Sequence, residues 1–201
     1  MKLDPFYPIF DNADWFERLV PLGIKLAQLR MKNCDETTIK AHIRRAKTIC
    51  EKYSCQLIIN DYWQLAIEEN CDFVHIGQED LLNTNLQLLK AEGIKFGVSA
   101  YNQFELDKAL ETKPDYIALG PIYPTQTKIL AYEAKGLKTV TAWKEQIKPL
   151  PLVGIGGLNL ERSLIMLKAG ADSAAVISDI TLNENPENRV QQWIKATQPW
   201  R

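Results

Sequence analysis

The sequence predicts a single α/β domain over residues 1–201, folded as a TIM (β/α)8 barrel. Eight short apolar runs alternate with longer amphipathic stretches along the chain, which is typical of strands alternating with helices around a parallel sheet. Most of the runs, such as Leu152–Gly156, are nearly continuous in apolar residues, as expected for parallel strands buried on both faces. Eight such pairs in 201 residues favour a closed barrel over an open doubly wound sheet.

The predicted strands are Tyr7–Phe10, Leu26–Arg30, Gln56–Asn60, Phe73–Ile76, Lys95–Ser99, Tyr116–Gly120, Leu152–Gly156 and Ser173–Ser178. Two of the intervening helices have recognisable ends. Asp35 precedes a helical run through Tyr53, and Asn159 opens another run that ends near Gly170. No linker, low-complexity tract or block of charge indicates a second domain.

Composition and charge exclude several classes of function. Hydrophobic residues make up 46% of the chain and charged residues 24%, which is typical of a globular domain. A net charge of -1 gives no electrostatic basis for binding nucleic acid or an anionic membrane, so we expect neither as a partner. No stretch approaches the roughly 20 apolar residues that span a bilayer.

A cytoplasmic location is expected from the amino-terminal segment and the cysteines. Asp4, Pro5 and Pro8 stand where a signal peptide needs an apolar core. The cysteines form no CxxC pair, and only two histidines could complete a metal site, so free thiols in a reducing compartment are expected. The four cysteines are Cys34, Cys50, Cys55 and Cys71.

Polar residues collect where the predicted strands end. Seven of the eight ends read QLRMK, IIND, VHIGQED, GVS, GPIYPTQTK, GIGG and VIS. In a TIM barrel, the carboxyl ends of the strands and the loops after them build the active site. Any one of these residues could be an ordinary strand terminus or helix cap. The whole set indicates one functional site.

The charged residues among them suit a diphosphate bridged to a metal ion. Arg30 and Lys32 follow the second strand, and Lys128 follows the sixth. Asp61 and Asp80 follow the third and fourth strands, which are neighbours in a barrel. Mg²⁺ prefers one or two carboxylates together with substrate phosphate oxygens and water. Each aspartate could instead cap the helix that follows it.

The last two strand ends indicate a second anion site, without a metal. Gly156 and Gly157 leave backbone amides open to a ligand, because no side chain stands in the way. Ile177 and Ser178 end the eighth predicted strand. The loops after strands seven and eight commonly bind phosphate in TIM barrels.

The loop after the sixth predicted strand and the histidine of the fourth can each be assigned an expected role. The segment Pro121–Gly136 is long for a strand–helix connection and holds Thr125, Thr127 and Lys128, so it is predicted to be a lid. His75 is predicted to be a packed strand residue with a satisfied ring, not a catalyst.

These motifs, in this order, resemble the thiamine phosphate synthase family from Tyr7 to Ile180. The sequence IND, followed by GQED and then by PTQTK, is the most specific part. The resemblance implies a transferase with Mg²⁺ as cofactor and two small-molecule substrates. It would join 4-amino-5-hydroxymethyl-2-methylpyrimidine diphosphate to a thiazole phosphate, giving thiamine phosphate and pyrophosphate.

The resemblance also implies a role for each matching residue. The pyrimidine diphosphate would be contacted by Gln28, Arg30, Lys32 and Asn60, and Mg²⁺ would be ligated by Asp61 and Asp80. Ser99 would lie beside the pyrophosphate and the reacting groups, and Lys128 would bind the leaving group. Arg30, Ser99 and Lys128 are thus the candidate catalytic residues. The thiazole phosphate would be held by Thr125, Thr127, Gly157, Ile177 and Ser178.

The chain departs from the family pattern at three places, one of which is the segment after Lys128, which diverges freely. Tyr101 stands where the family often has a histidine after GVS, and Asp179 stands where it usually has alanine after VIS. We expect Asp179 to point away from the phosphate and cap the backbone that starts at Ile180.

Two alternative functions remain at this point. One is an isomerase like the related thiazole tautomerases, which use a histidine near position 101 and tend to lose the diphosphate-binding residues. The other is a non-catalytic barrel that senses a thiamine precursor.

Overall fold

The structure, a computed structural model, describes residues 2–125 and 133–201. Eight parallel strands close into a barrel in chain order, and the first strand pairs with the eighth. They are β1 (Phe6–Phe10), β2 (Leu26–Leu29), β3 (Gln56–Asn60), β4 (Phe73–Ile76), β5 (Lys95–Ala100), β6 (Tyr116–Leu119), β7 (Leu152–Ile155) and β8 (Ser173–Val176). The predicted TIM barrel is confirmed.

Helices follow the strands. They are α1 (Ala13–Leu19), α2 (Glu36–Tyr53), α3 (Trp63–Glu68), α4 (Gln78–Leu81), α5 (Leu86–Ala91), α6 (Gln103–Glu111), α7 (Gly136–Ile147), α8 (Leu160–Lys168), α9 (Ser178–Thr181) and α10 (Pro186–Thr197). Within the described ranges, no helix combines the length and apolarity needed to cross a membrane.

Side-chain caps fix where several helices begin. Asp35 precedes α2, and its carboxylate accepts hydrogen bonds from the backbone N–H and the hydroxyl of Thr38. Asn159 precedes α8 and accepts from the backbone N–H of Arg162. Gly170 follows α8 with a φ of 113°, a conformation that glycine adopts without a steric cost. Both predicted helices are confirmed.

Four of the predicted strands extend too far, to Arg30, Gly120, Gly156 and Ser178, because their last residues leave the sheet. Gly156 has a φ of 96°, outside the extended region, and Ser178 is already the first residue of α9. These four strand ends therefore belong to the loops at the mouth of the barrel, where they can face a ligand.

The core has two layers, because successive side chains of a strand point to opposite faces. Phe6 belongs to the layer between the strands and the helices, whereas Tyr7 belongs to a smaller cluster inside the barrel. Tyr116 is also in this inner cluster, and both tyrosines are almost completely buried. Their hydroxyl groups therefore need hydrogen-bond partners inside the barrel.

Candidate active site

One pocket of about 210 Å³ opens at the carboxyl ends of the strands. Every strand contributes to its lining, as expected for an active site at the mouth of a TIM barrel. The structure brings most of the predicted site residues together in it: Gln28, Arg30, Lys32, Asn60, Asp61, Asp80, Ser99, Thr125, Gly157, Ile177 and Ser178. Thr127 and Lys128 lie outside the described residues.

Asp61 and Asp80 converge at one edge of this pocket. A Cβ atom built on Gly77 would lie 3.5 Å from Asp80 Oδ2 and 3.8 Å from Asp61 Oδ1, so both carboxylates border the same point. Asp61 has a φ of 66°, a left-handed conformation that aspartate tolerates better than most residues. Its N–H donates to the carbonyl of His75 at 2.9 Å, which fixes this turn against β4.

Neither aspartate has the capping role that was the alternative. The residue before α3 is Tyr62, and no side chain caps that helix. Asp80 lies inside α4, and α5 is capped instead by Asn85, which accepts from the N–H of Leu88. Neither carboxylate is therefore engaged at a helix end, and both line the pocket.

Like charge and burial make this pair a favourable place for a cation. Burial raises the pKa of Asp80, and the neighbouring charge of Asp61 raises it further, whereas Lys32 lowers it. Lys32 forms an ion pair with Asp61, and the Asn60 amide donates to the same carboxylate oxygen. The excess negative charge is thus partly neutralised by residues of the chain itself.

The donor set fits Mg²⁺ bound together with a substrate. In the parts of the chain that the structure describes, no group of three or more His, Cys, Asp or Glu could hold a metal ion. Asp61 and Asp80 provide two carboxylates, and Mg²⁺ commonly uses one or two, with phosphate oxygens and water as its other ligands.

Five side chains form a hydrogen-bonded chain along the floor of the pocket. Gln28 Nε2 donates to the Tyr7 hydroxyl at 2.7 Å, and this hydroxyl lies 3.1 Å from that of Tyr116. The Tyr116 hydroxyl lies 2.7 Å from His75 Nδ1, and His75 Nε2 lies 2.9 Å from Ser99 Oγ. Burial lowers the pKa of His75 to about 4; the charge of Asp61 opposes this shift and that of Arg30 adds to it, so the ring is neutral near pH 7.

Three of these five hydrogen-bonded side chains are pocket residues that the sequence did not predict as part of the site. The expectation of a satisfied ring is confirmed for His75, but the same ring also lines the pocket. Tyr7 and Tyr116 were absent from the predicted site because they lie within apolar strands and not at strand ends. The available signal was their position: a polar group at an inward-facing place in a barrel strand needs a partner there.

The glycine pair after β7 is required by a close approach of backbone. Gly157 has a φ of 63°, and a Cβ on it would lie 2.5 Å from the carbonyl oxygen of Pro124. A Cβ on Gly156 would lie 2.7 Å from Pro121 Cα. The loop after β6 thus packs against both glycines. Because glycine has no side chain, the loop after β6 can lie this close to the turn. The sequence alone did not show this reason for the glycine pair.

Arg162 holds the same turn from the other side. Its Nη1 donates to the carbonyl of Gly157 at 2.7 Å, and its guanidinium carbon lies 4.8 Å from the centre of the Tyr123 ring. This cation–π contact joins the turn after β7 to the loop after β6. The predicted phosphate-binding turn is therefore held in place by two neighbouring elements.

The expected lid is described only at its two ends. The Lys135 N–H donates to the Pro121 carbonyl at 2.8 Å, and the Gly136 N–H donates to the Ile122 carbonyl at 3.1 Å. These bonds close the base of the segment. The residues that would reach the ligand, Thr127 and Lys128, are outside the described part.

The expectation for Asp179 is half wrong. Its carboxylate does not cap the backbone at Ile180, because α9 has no side-chain cap. It accepts two hydrogen bonds from Arg189, at 2.9 and 3.0 Å, and one from Trp193 Nε1 at 2.7 Å. These partners lie on α10, so the carboxylate faces away from the pocket, as expected, and its charge is balanced there.

Known proteins resemble this chain over nearly its whole length. A thiamine-phosphate synthase of Rhizobium etli is 52% identical over 201 residues, covering 100% of this chain and 98% of that protein. One from Salmonella typhimurium is 42% identical over 191 residues, covering 95% and 87%.

Solved structures show the same fold. Thiamine phosphate pyrophosphorylase from Pyrococcus furiosus superimposes with a TM-score of 0.87 at 24% identity, covering 98% of this chain and 96% of that one. A 3-hexulose-6-phosphate synthase from Salmonella typhimurium gives 0.72 at 15% identity and covers both chains completely. At such low identity these two matches show the fold alone.

The family model for thiamine monophosphate synthase matches residues 7–180, which include β2 to β8 and all but the first residue of β1. With that match and the close relatives, the chain belongs to the thiamine monophosphate synthase family.

Proposed function

We propose that this chain joins 4-amino-5-hydroxymethyl-2-methylpyrimidine diphosphate to a thiazole phosphate, forming thiamine phosphate and releasing pyrophosphate. As a member of its family, it is a transferase of thiamine biosynthesis. The proposal rests chiefly on one observation. Residues suited to a metal-bound diphosphate and a glycine turn suited to a monophosphate line opposite parts of one pocket.

The acid pair is proposed to hold Mg²⁺. Asp61 and Asp80 would provide its two carboxylates, and the ion would offset the charge of the diphosphate and of the departing pyrophosphate. Arg30 and Lys32 reach the same part of the pocket and would bind the phosphate oxygens. Lys128 would contact the leaving group.

The chemistry needs stabilised charge more than it needs a nucleophile. The bond between the pyrimidine methylene carbon and the diphosphate oxygen breaks, and both electrons leave with pyrophosphate. The electron-rich aminopyrimidine delocalises the resulting positive charge, and the thiazole nitrogen then forms the new bond to the methylene carbon. Arg30, Lys32 and Lys128 would stabilise the charge that develops on the leaving group.

The remaining site residues would position the two rings. Gln28 and Asn60 are buried beneath the pocket and would contact the pyrimidine, and Ser99 would lie beside the pyrophosphate. The thiazole phosphate would be held by Thr125, Thr127, Gly157, Ile177 and Ser178.

Small molecules are the proposed partners, because a net charge of -1 offers no basic surface for nucleic acid or an anionic membrane. All four cysteines are free thiols, which supports a cytoplasmic location.

A product assay tests the proposal and separates it from the isomerase alternative. Purified protein is mixed with Mg²⁺ and a thiazole phosphate, with and without the pyrimidine diphosphate. We expect thiamine phosphate and pyrophosphate in equal amounts, and no change to the thiazole phosphate when the pyrimidine is omitted. Conversion of the thiazole phosphate alone, or no product with both substrates, would contradict the proposal.

A further inference from the structure

The hydrogen bonds among the five side chains on the pocket floor are all donated in one direction, and Gln28 sets that direction. The Gln28 amide nitrogen can only donate, so the Tyr7 oxygen accepts from it. The Tyr7 hydroxyl hydrogen is then available to the Tyr116 oxygen, 3.1 Å away. A phenol oxygen can accept twice, but Tyr116 is the only other partner of the buried Tyr7 hydroxyl among the described residues. The Tyr7 hydrogen is therefore donated to Tyr116, and the direction runs from Gln28 towards His75.

The direction determines the tautomer of the imidazole. Because the Tyr116 oxygen already accepts from Tyr7, its own hydrogen is donated to His75 Nδ1 at 2.7 Å. A nitrogen that accepts a hydrogen bond carries a lone pair and no hydrogen, so the ring hydrogen is on Nε2. It faces Ser99 Oγ at 2.9 Å.

We propose that Gln28, Tyr7, Tyr116 and His75 are positioning residues that hold His75 as the Nε2–H tautomer and so aim the Ser99 hydroxyl hydrogen into the pocket. The Ser99 oxygen accepts from the imidazole, and its hydrogen is left for a ligand. If the order were reversed, Ser99 would donate to the ring and could offer a ligand only an acceptor.

An anionic ligand needs a donor at this place. Ser99 lines the pocket that also contains Arg30 and Lys32. A hydroxyl held as a donor stabilises negative charge without having to reorient as the charge develops. That the acceptor is the departing pyrophosphate rests on the proposed function, whereas the tautomer and the direction do not.

Nitrogen-15 NMR of the histidine rings tests the direction in the protein without substrates. The chain has only two histidines, so two sets of ring signals are expected, and the variant His42→Gln assigns them. His42 Nδ1 accepts from the Ala13 N–H at 3.0 Å, which makes this ring an internal reference for the Nε2–H tautomer.

We expect His75 to give the Nε2–H pattern in the unmodified protein, like His42. In Tyr116→Phe the donor to Nδ1 is lost, so the signals of His75 should shift towards a mixture of tautomers while those of His42 stay unchanged. Tyr7→Phe removes the donor that occupies the Tyr116 oxygen, so Tyr116 can then accept from the ring, and His75 should again shift towards a mixture of tautomers. An unchanged His75 tautomer in a folded Tyr7→Phe protein would show that Gln28 and Tyr7 do not set the direction. An Nδ1–H pattern or a doubly protonated ring in the unmodified protein would overturn the inference, whether or not either variant folds.

Turnover provides the second readout. By analogy with the outer-shell partners of metal-bound histidines, Tyr116→Phe should lower kcat by about 10–100-fold, with a much smaller change in KM. A protein that shows the expected tautomer but makes no thiamine phosphate would disprove the proposed function and leave the hydrogen-bond direction intact. An unchanged kcat in a Tyr116→Phe protein whose His75 signals have shifted would overturn the link to Ser99.

Discussion

At the scale of single residues, Asp179 shows how a charge close to the proposed phosphate site can be harmless to binding. Its side chain is only 13% exposed, and its carboxylate is shared by Arg189 and Trp193 on α10. A carboxylate satisfied in this way is held in one direction, which here is away from the pocket. The residue therefore joins α9 to α10.

Replacing Asp179 by alanine should weaken the fold and leave the affinity for the thiazole phosphate unchanged. The partly buried Arg189 loses its two hydrogen bonds to Asp179, and its remaining ionic contact, with Glu161, is longer. The loss of such hydrogen bonds costs about 1.5–3 kcal/mol. Urea unfolding gives the stability, and calorimetric titration gives the affinity. Asp14→Ala is the control, because its exposed ion pair with Arg45 should contribute little. A marked gain in affinity for Asp179→Ala would show that its charge does reach the phosphate.

The four cysteines differ in burial, which predicts a large difference in reactivity. Cys34 is exposed, whereas Cys50, Cys55 and Cys71 are buried. Burial raises the pKa of the Cys71 thiol to about 12, so almost none of it is thiolate at pH 8.

A chromogenic disulfide reagent at pH 8 should therefore modify one thiol per chain rapidly in the folded protein and four in urea. The variant Cys34→Ser should remove the rapid phase and leave the slow reaction of the other three. Rapid modification of two or more thiols in the folded protein would contradict this description of the core.

At the scale of elements, the loop after β6 and the turn after β7 act as one unit. Ile122 and Tyr123 donate their N–H groups to the carbonyls of Ile155 and Gly156, at 2.9 and 3.1 Å. Gly157 makes room for the Pro124 carbonyl. The proposed phosphate site thus depends on contacts between two loops as well as on the residues that would touch the ligand.

Gly157→Ala should separate these loops. The substitution strains a left-handed backbone, at a cost of about 1–2 kcal/mol, and adds a clash 2.5 Å from Pro124 O. Gly93→Ala is a matched control: its φ is 71°, but nothing lies within 4 Å of the added Cβ. We expect a larger loss of stability for Gly157→Ala, together with weaker thiazole phosphate binding that Gly93→Ala does not share. Equal effects in the two variants would mean that the close approach of Gly157 to Pro124 contributes neither to stability nor to thiazole phosphate binding.

At the scale of the whole molecule, closure of the barrel makes each part dependent on the rest. β1 pairs with β8 through Phe6 and Ala174, residues that lie at the two ends of the chain. A barrel without its last strands leaves two open edges and an uncovered interior cluster. We therefore expect residues 1–201 to behave as one domain.

A fragment of residues 1–150, which lacks β7 and β8, should fail to fold. Its circular dichroism should show little regular structure, and its amide NMR signals should be poorly dispersed, unlike those of the full chain. A well-dispersed spectrum from the fragment would instead identify an independent domain within the barrel.

The sequence predicted the order of the elements well, because local signals carry that information. Apolar runs located all eight strands, and Asp35 and Asn159 located two helix starts. The carboxyl ends of parallel strands meet at one face, so the polar ends could be assigned to one pocket without knowledge of the packing.

Contacts between distant residues could not be predicted in this way. Tyr7 and Tyr116 are 109 positions apart, and their contact depends on the register of the closed barrel. The partners of Asp179 were missed because they lie on α10, and no local pattern connects them to α9. The close approach of Gly157 to Pro124 is likewise visible only in the folded chain.

Two carboxylates at the mouth of this barrel, those of Asp61 and Asp80, are proposed to hold Mg²⁺ for the release of pyrophosphate. The most direct test measures the rate of pyrophosphate release against Mg²⁺ concentration, with both substrates present. It compares the unmodified protein with Asp61→Asn, Asp80→Asn and the control Asp107→Asn, whose carboxylate is on the exposed side of α6.

We predict that a chelator stops release by the unmodified protein and that added Mg²⁺ restores it. Each pocket variant should lose about tenfold or more in rate, equivalent to about 1.4 kcal/mol, while Asp107→Asn keeps the full rate. If Asp61→Asn and Asp80→Asn both retained the full Mg²⁺-dependent rate, the assignment of the metal site would be contradicted.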